Sequence, residues 1–432
     1  MRRALLAAAL APCLCAPDAD ANGGNTHVWI SLHAVEHLPA GRLKDMLSRP
    51  ELQPALINGS LFPDGGYVIE DDYGELAHWE PFIEAYVRWM RDDVAHPFDH
   101  GIAAEYSAFL FGIASHGMAD QVFDASFVEE ARVRDAAGWS DDLLTGHDTA
   151  TDVMLVAATG VDFTATPQHV PAAEIAAIYR ERLGYEIDPA ALDSGQNLLH
   201  RIVLVYGVSA AADPAKLADL EARYPRTAEH LMNERSVGAP PCEGAVVAAY
   251  WLALWDRMHE ASGEQNYLIA TYPRHGSVGF STDHSSAAAQ LLVVFGSGIQ
   301  RAQLADRFSV VDSKGVSYDL AVDTQWGASV ANVVKIRALD DWATDETFTV
   351  TVKPGLDFID GYRLETPFSF TFSTTAGDPG APTSDPTPHA GEPDVGDLPD
   401  AGCCGAGRGA AGGGALLACV VSLVVRRRRS PA

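Results

Sequence analysis

AFLFGIASHGMADQVFDASF, residues 108–127, is the segment of this 432-residue chain with the strongest local signal for structure and chemistry. Its apolar side chains recur at helical spacing. His116, Asp120 and Asp124 follow one another at intervals of four residues, so an α-helix carries all three on one face. Potential ligands on the buried face of an apolar helix are costly unless something binds them. A divalent metal such as zinc does so, because it accepts both neutral imidazole and carboxylate. The segment therefore predicts a metal-binding helix.

The periodicity of the chain changes near residue 270. Apolar and polar residues alternate at helical spacing from about residue 26 to about residue 260. From about residue 274, short β-branched and aromatic runs of period two follow, separated by Gly, Asp and Ser turns. The sequence predicts a multidomain protein, with an all-α domain over residues 22–262 and a β-sandwich over residues 274–376.

The β-rich runs resemble the bacterial Ig-like domains that decorate exported proteins. The resemblance rests on LLVVFGSGI (residues 291–299), FTVTVKPGLDFIDG (348–361) and FSFTFST (368–374). It implies a fold and is silent about chemistry.

The charge of the chain disfavours a nucleic-acid partner. The sequence has 30 Lys+Arg against 58 Asp+Glu, a formal net charge of -28. The electrostatic field of a chain with this negative charge repels the phosphate backbone of nucleic acids unless bound cations offset the charge locally. Cysteines predict no disulfide framework, because Cys242 is the only one that falls within the two predicted folded domains.

Both ends of the chain predict export. Residues 1–21 have the form of a signal peptide, with Arg2 and Arg3, an apolar stretch, and Ala19-Asp20-Ala21 as the cleavage site. The mature chain then begins at Asn22.

The C-terminal part predicts a linker and a sorting signal. Residues 377–402 are rich in Pro, Gly, Asp and Thr, which is typical of a disordered acidic linker. Residues 403–432 combine a cysteine pair, an aliphatic segment of about membrane-spanning length and four terminal arginines. This tail resembles the MYXO-CTERM type, which implies a processing protease at the cell surface. A plain single-pass membrane anchor is the alternative. In both cases the folded domains face outward.

Further candidate ligands lie in four short motifs around the His116 helix. They are His27 in NTHVWI, Asp64 in LFPDGGY, His78 in LAHWEPF, and the pair His147 and Asp152 in TGHDTATDVM. Taken singly, each motif is also compatible with an ordinary turn or packing residue.

The order NTHVWI, FPD, HWEPF and AFLFGIASHxxxD resembles the zinc-dependent phospholipase C family. The resemblance covers about residues 25–155 and continues more weakly to residue 260. It implies an all-helical fold with two or three zinc ions in a cleft. The positions that match family ligands are His27, Asp64, His78, His116 and Asp120. It further implies a metal-bridging role for Asp120, a base for the attacking water at Asp64, and a ligand in the new amine at Asn22.

The chain departs from the family pattern at two points. Asp124 stands where the family usually has a histidine, which changes the charge of one zinc site. The last pair of the family, a histidine with an acid one turn later, is replaced by a segment in which His147 and Asp152 are five residues apart. Asp152 is expected to bind metal with His147 or with Asp148. The alternative is a helix N-cap with surface carboxylates.

Three functions follow from this pattern. The first is a secreted, cell-surface zinc-dependent phosphodiesterase that hydrolyses phospholipids or related phosphodiesters, with zinc activating a bound water. The second is a zinc-dependent nuclease, which the acidic charge disfavours. The third is a non-catalytic surface protein in which a metal stabilises the fold and the Ig-like domain provides adhesion.

Overall fold

The computed structural model describes residues 22–140, 145–263 and 266–377. The predicted signal peptide and sorting tail, and the predicted linker from residue 378 onward, lie outside these residues. No helix within the described ranges is long and apolar enough to cross a membrane. The described residues belong to one compact unit, residues 1–401. The predicted division between two domains near residues 262–274 stays a prediction.

The first part of the chain is helical, as the periodicity predicts. Its α-helices are α1 (Gly24–His37), α2 (Arg42–Leu47), α3 (Gln53–Val68), α4 (Tyr73–Ala77), α5 (Glu80–Asp93), α6 (Gly101–Phe123), α7 (Glu129–Arg134), α8 (His147–Thr159), α9 (Ala172–Ile178), α10 (Pro189–Leu199), α11 (Val205–Ala211), α12 (Pro214–Arg223), α13 (Pro225–His230) and α14 (Pro240–Met258). Asp124–Val128 forms a π-helical turn between α6 and α7.

Helix α6 is the centre of the helical core. From Ala103 onward it is buried on almost every side. This explains why apolar residues occur on all of its faces. It packs closely against α3 through two glycines. A Cβ atom on Gly112 would lie 2.3 Å from the carbonyl oxygen of Leu56, and one on Gly59 would lie 2.2 Å from that of Phe109. The backbones of the two helices can approach this closely only because neither position carries a side chain.

Replacement of Gly112 by alanine is expected to lower the free energy of unfolding by about 1–3 kcal/mol, because the added methyl group forces α3 and α6 apart. Denaturant unfolding followed by circular dichroism measures the effect. Gly41→Ala is the matched control, since a Cβ atom at Gly41 meets nothing within 4 Å. Equal stability of the two variants would contradict the close contact.

The second part of the chain forms two antiparallel sheets. The strands are β1 (Leu268–Tyr272), β2 (Leu291–Gln300), β3 (Phe308–Asp312), β4 (Leu320–Thr324), β5 (Val330–Ala338), β6 (Thr347–Val352) and β7 (Phe368–Ser373). One sheet has the order β1-β2-β5-β4 and the other the order β3-β6-β7. The predicted order of a helical region followed by a β region is confirmed. The Ig-like β-sandwich stays a prediction.

Strand β2 is buried on both faces. Leu292 and Val294 pack into the helical core, whereas Leu291, Val293 and Phe295 pack into the core of the β region. A strand covered on both sides reads as a continuous apolar run, which explains LLVVF. The four-stranded sheet therefore lies between the helices and the rest of the β region.

A buried polar network also joins the two regions. The Arg257 guanidinium on α14 donates to Glu80 Oε1 at 2.5 Å, to Glu84 Oε2 at 2.7 Å and to the carbonyl oxygen of Gly296 at 3.0 Å. Asn332 on β5 donates its side-chain amide to Glu80 Oε2 at 3.1 Å. These charged and polar groups contact one another away from water, so the network ties β2 and β5 to helices α5 and α14.

Strand β5 also contacts the functional end of α6. The side-chain oxygen of Gln121 accepts hydrogen bonds from the backbone N–H groups of Asn332 and Val333, at 2.9 and 3.3 Å. The amide of Gln121 donates to the carbonyl oxygen of Gly117 at 3.1 Å. Gln121 directly follows Asp120, so the β region supports the helix turn that carries the predicted ligands.

Candidate metal centre

Four helical elements converge on one group of His and Asp side chains. His27 lies on α1, Asp64 on α3, His78 directly after α4, and His116 with Asp120 on α6. The side chains form two sets, and within each set the potential ligand atoms all lie within 4.8 Å of one another. One set is His27, His116 and Asp120, and the other is Asp64, His78 and His116. His116 belongs to both, so the two sets are adjoining halves of one centre. All of the five motif-matched ligands are in it.

The Nε2 atoms of the three histidines point toward the two carboxylates. His27 Nε2 lies 3.2 Å from Asp120 Oδ1, and His116 Nε2 lies 3.3 Å from Asp120 Oδ2. His78 Nε2 lies 3.7 Å from both Asp64 Oδ1 and Asp120 Oδ2. His116 Nε2 lies 3.6 Å from Asp64 Oδ1. Asp120 therefore contacts both halves, the position that a metal-bridging carboxylate would need.

Backbone carbonyl groups fix the orientation of two of the imidazoles. Nδ1 of His116 donates to the carbonyl oxygen of Ser60 at 2.7 Å, and Nδ1 of His78 donates to that of Gly74 at 2.6 Å. Protonation at Nδ1 leaves Nε2 of a neutral ring with its lone pair facing the centre, which is the usual arrangement around a metal-binding histidine.

The charges in the centre depend strongly on one another. Burial opposes the charged form of His78, but its hydrogen bond to Asp64 and the charge of Asp120 raise its pKa to about 9. Burial and the nearby His27 lower the pKa of His116. The two rings lie close together, with a distance of 2.9 Å between their Nε2 atoms. Burial acts to raise the pKa of Asp120, and the charges of His27 and His116 hold it far below its ordinary value.

Unsatisfied buried atoms fit a bound cation. Both ring nitrogens of His27 and Oδ2 of Asp120 are buried and make no well-directed hydrogen bond, although His27 Nε2 and His116 Nε2 lie within 3.3 Å of the Asp120 carboxylate. Buried polar atoms of this kind are rare unless a ligand completes them. Histidine nitrogens and carboxylate oxygens are also the donor set that zinc takes. The donor set and its unsatisfied atoms therefore fit zinc.

Asn22 reaches the same centre from the predicted mature N-terminus. Its backbone nitrogen donates to Asp120 Oδ1 at 3.2 Å, and the residue is only 2% exposed. Its side-chain amide lies 3.5 Å from Oε2 of Glu243 on α14. The N-terminal amine of a chain that begins at Asn22 would therefore contact Asp120.

Asp152 contacts the residues before His27 instead of the histidine cluster. Its carboxylate accepts hydrogen bonds from the side chain of Asn25 at 2.7 Å and from the backbone nitrogen of Thr26 at 2.8 Å. Burial raises the pKa of Asp152, and these hydrogen bonds oppose that rise. Asp152 thus holds the start of α1, and it is in neither set of converging ligand atoms.

His147 lies apart from Asp152 although both are on α8. Its Nε2 contacts the hydroxyl of Thr227 at 3.0 Å, and its ring stacks on Trp139 with centroids 4.5 Å apart. Burial and the charges of Arg226 and Arg132 lower its pKa to about 3, so the ring is neutral. Side chains five residues apart on a helix point in different directions, which explains the separation.

Asp124 is buried at the start of the π-helical turn that ends α6. It is likewise in neither set of converging ligand atoms. The backbone N–H group of Asp124 donates to the carbonyl oxygen of Asp120, so the α-helical register extends to Asp124 and the π-helical turn follows it. The metal-binding roles of Asp124, His147 and Asp152 stay predictions.

An aromatic wall, made of Tyr67, Trp79 and Trp326, lies beside His78 and is not evident from the motifs alone. The ring of Tyr67 stacks on His78 with centroids 5.1 Å apart. Glu75 joins the wall, since it accepts hydrogen bonds from the Tyr67 hydroxyl at 2.7 Å and from Trp79 Nε1 at 2.8 Å. Trp326 of the β region packs edge-on against Trp79 at 5.4 Å. Only tertiary structure brings residue 326 to this place.

Comparison with known proteins identifies the segment that contains most of the centre. Residues 26–123 match the family model described as zinc dependent phospholipase C. Phosphatidylinositol-glycan-specific phospholipase D of Bos taurus is 32% identical over 183 residues, which are 39% of this chain and 22% of that protein. The Homo sapiens protein of the same name is 29% identical over 180 residues, 38% of this chain and 21% of that protein.

This chain spans about a fifth of the length of these curated relatives. Among solved structures, the N-terminal part of the bacterial S-layer protein SbsC covers 70% of this chain and 77% of its own, at 12% identity and a TM-score of 0.20. A likeness at that score supports no inference about this chain.

Proposed function

We propose that this chain, of which residues 26–123 match the zinc dependent phospholipase C family model, is a zinc-dependent phosphodiesterase that hydrolyses phospholipids or related phosphodiesters. The observation that carries the proposal is the convergence of His27, Asp64, His78, His116 and Asp120, with buried nitrogen and oxygen atoms that have no partner in the protein. The name of the relatives, phosphatidylinositol-glycan-specific phospholipase D, agrees with a phospholipid substrate for this chain.

The metal centre would be held by His27, His78 and His116 through nitrogen and by Asp64 and Asp120 through oxygen. The α-amine at Asn22 is proposed as a further ligand, as are Asp124, His147 and Asp152. Bound zinc would supply a water of lowered pKa and would stabilise negative charge that develops on the phosphoryl oxygens.

The chain's own residues prepare this chemistry. The side chain of Asp64 is 19% exposed and that of Asp120 only 1%, so Asp64 is the carboxylate that faces the solvent side. We assign it the role of base, which accepts a proton from the attacking water. Asp120 stays ionised and balances the positive charge of the centre, while the carbonyl groups of Ser60 and Gly74 keep the imidazoles in place.

The location of the enzyme and its accessory regions are part of the proposal. Cleavage after residue 21 would release the Asn22 amine, whose nitrogen is already placed at Asp120. The Ig-like region would accompany the enzyme to the cell surface. There the tail would anchor it in the membrane until a processing protease acts.

Metal content and turnover test the proposal together. The secreted protein is expected to contain two or three zinc ions per chain and to hydrolyse a chromogenic phosphocholine ester. A chelator is expected to abolish turnover, and added zinc to restore it, because the proposed reaction needs the metal. Elemental analysis and absorbance measure the two quantities on the same sample.

A non-catalytic, metal-stabilised surface protein is the second candidate. It is favoured by the positions of Asp124, His147 and Asp152, which lie outside the two converging sets of ligand atoms. One zinc ion per chain with no turnover would support this candidate and contradict the phosphodiesterase.

A further inference from the structure

Glu243 is a buried carboxylate beside the candidate metal centre, in the first turn of α14. The residue is 0% exposed, and its Oε1 atom has no hydrogen-bond partner. Its Oε2 atom accepts one long hydrogen bond, 3.5 Å, from the side-chain amide of Asn22. This residue lies outside the segment that matches the family model, and no sequence motif singles it out.

No cationic side chain in the described part of the chain balances Glu243. Within the described ranges, the buried carboxylates of Glu80 and Glu84 pair with Arg257, but none of the ion pairs includes Glu243. The charged group that acts on it is Asp120, which has the same sign and raises the pKa of Glu243 further above the level set by burial. A buried carboxylate without a counter-charge is strongly unfavourable.

Asn22 is held between these two carboxylates. Its backbone nitrogen contacts Asp120 at 3.2 Å, and its side-chain amide contacts Glu243 at 3.5 Å. The side-chain oxygen of Asn22 is also buried without a partner. Asn22 Oδ1 and Glu243 Oε1 are therefore unsatisfied oxygen atoms on two residues that contact each other, and Asn22 also contacts Asp120. A cation bound at the metal centre would offset the negative charge of these neighbouring carboxyl groups.

We propose that Glu243 is a positioning residue of the zinc centre, which holds Asn22 against Asp120 and contributes a negative charge that the bound cation balances. The inference rests on the proposed zinc centre. It extends the centre to α14, the helix that packs against α1 and carries Arg257. It also gives a role to a buried carboxyl group that has no cationic partner among the described residues.

The full-length secreted chain and its Glu243→Gln variant test this role through zinc affinity, measured by competition with a chromophoric chelator. For the most weakly bound zinc ion, the dissociation constant of the variant is expected to be at least about 10-fold higher than that of the wild type. Changes of this size are found when groups that orient metal ligands are altered. Glu243→Asp keeps the charge and is expected to recover part of the affinity.

Melting temperatures add a readout that an ordinary structural residue would not produce. Without zinc, Glu243→Gln is expected to melt at or above the wild-type temperature, because a buried carboxyl group with no cationic partner is replaced by an amide of almost the same shape. With zinc, it is expected to melt below the wild type. The control Glu84→Gln breaks the ion pair with Arg257 and is expected to lower both temperatures alike.

The outcomes separate this inference from the proposed function. A wild-type chain that binds no zinc would overturn both. A wild-type chain that binds zinc, with Glu243→Gln unchanged in affinity or shifted equally in both melting experiments, would overturn only the role of Glu243.

Discussion

Asp120→Asn is expected to lower kcat/KM for a phosphodiester by at least about 1000-fold, which corresponds to roughly 4 kcal/mol of transition-state stabilisation. The carboxylate of Asp120 contacts His27 and His116, and it accepts a hydrogen bond from the backbone nitrogen of Asn22. Asparagine has almost the same shape but no charge, so the centre would lose zinc while the fold remains. Steady-state kinetics and elemental analysis of the same preparation measure the two losses.

Asp193→Asn is the control for this change, because Asp193 is exposed on α10 and belongs to neither converging set. It is expected to keep full zinc content and activity. An Asp120→Asn protein that hydrolyses the substrate at the wild-type rate would refute the assignment of the centre.

Arg257→Ala is expected to reduce the free energy of unfolding by about 3–5 kcal/mol, the range for breaking a buried ion pair on one side. The change leaves the carboxylates of Glu80 and Glu84 in the interior without their cation. It also removes the donor to the carbonyl oxygen of Gly296, a contact between α14 and the β region. Chemical denaturation measures the loss.

The control for this change is Arg363→Ala at an exposed ion pair. The side chains of Arg363 and Asp357 are 53% and 52% exposed. Pairs of this kind contribute about 1 kcal/mol or less. If the two variants lost equal stability, the buried network would not be the support that its geometry indicates.

The helical half and the ligand set were predictable because both depend on local patterns. Helical spacing placed His116 and Asp120 on one face, and the short motifs around His27, Asp64 and His78 preserved the order of the family. These five side chains converge in the structure. The groups that orient the imidazoles were not predictable. They are the backbone carbonyl groups of Ser60 and Gly74, and because every residue has such a group, the sequence does not mark these two.

The end of the ligand series shows why spacing alone was insufficient. Asp124 follows the four-residue rule and is buried at the end of α6, but it is in neither converging set of ligand atoms. His147 and Asp152 belong to one helix and face different partners, Thr227 in one case and Asn25 in the other. Glu243 and Trp326 reach the centre and its wall only through tertiary packing.

The double burial of β2 has a consequence for how the chain is made. The helical half leaves the ribosome first, but the apolar face that Leu292, Val294 and Val333 cover stays open until β5 has been synthesised. Glu80 also lacks its partner Asn332 until β5 is synthesised, because Asn332 follows it by 252 residues. At this stage the nascent chain exposes an apolar surface that favours aggregation. Chaperones are therefore expected to bind the chain until its last strands have been synthesised.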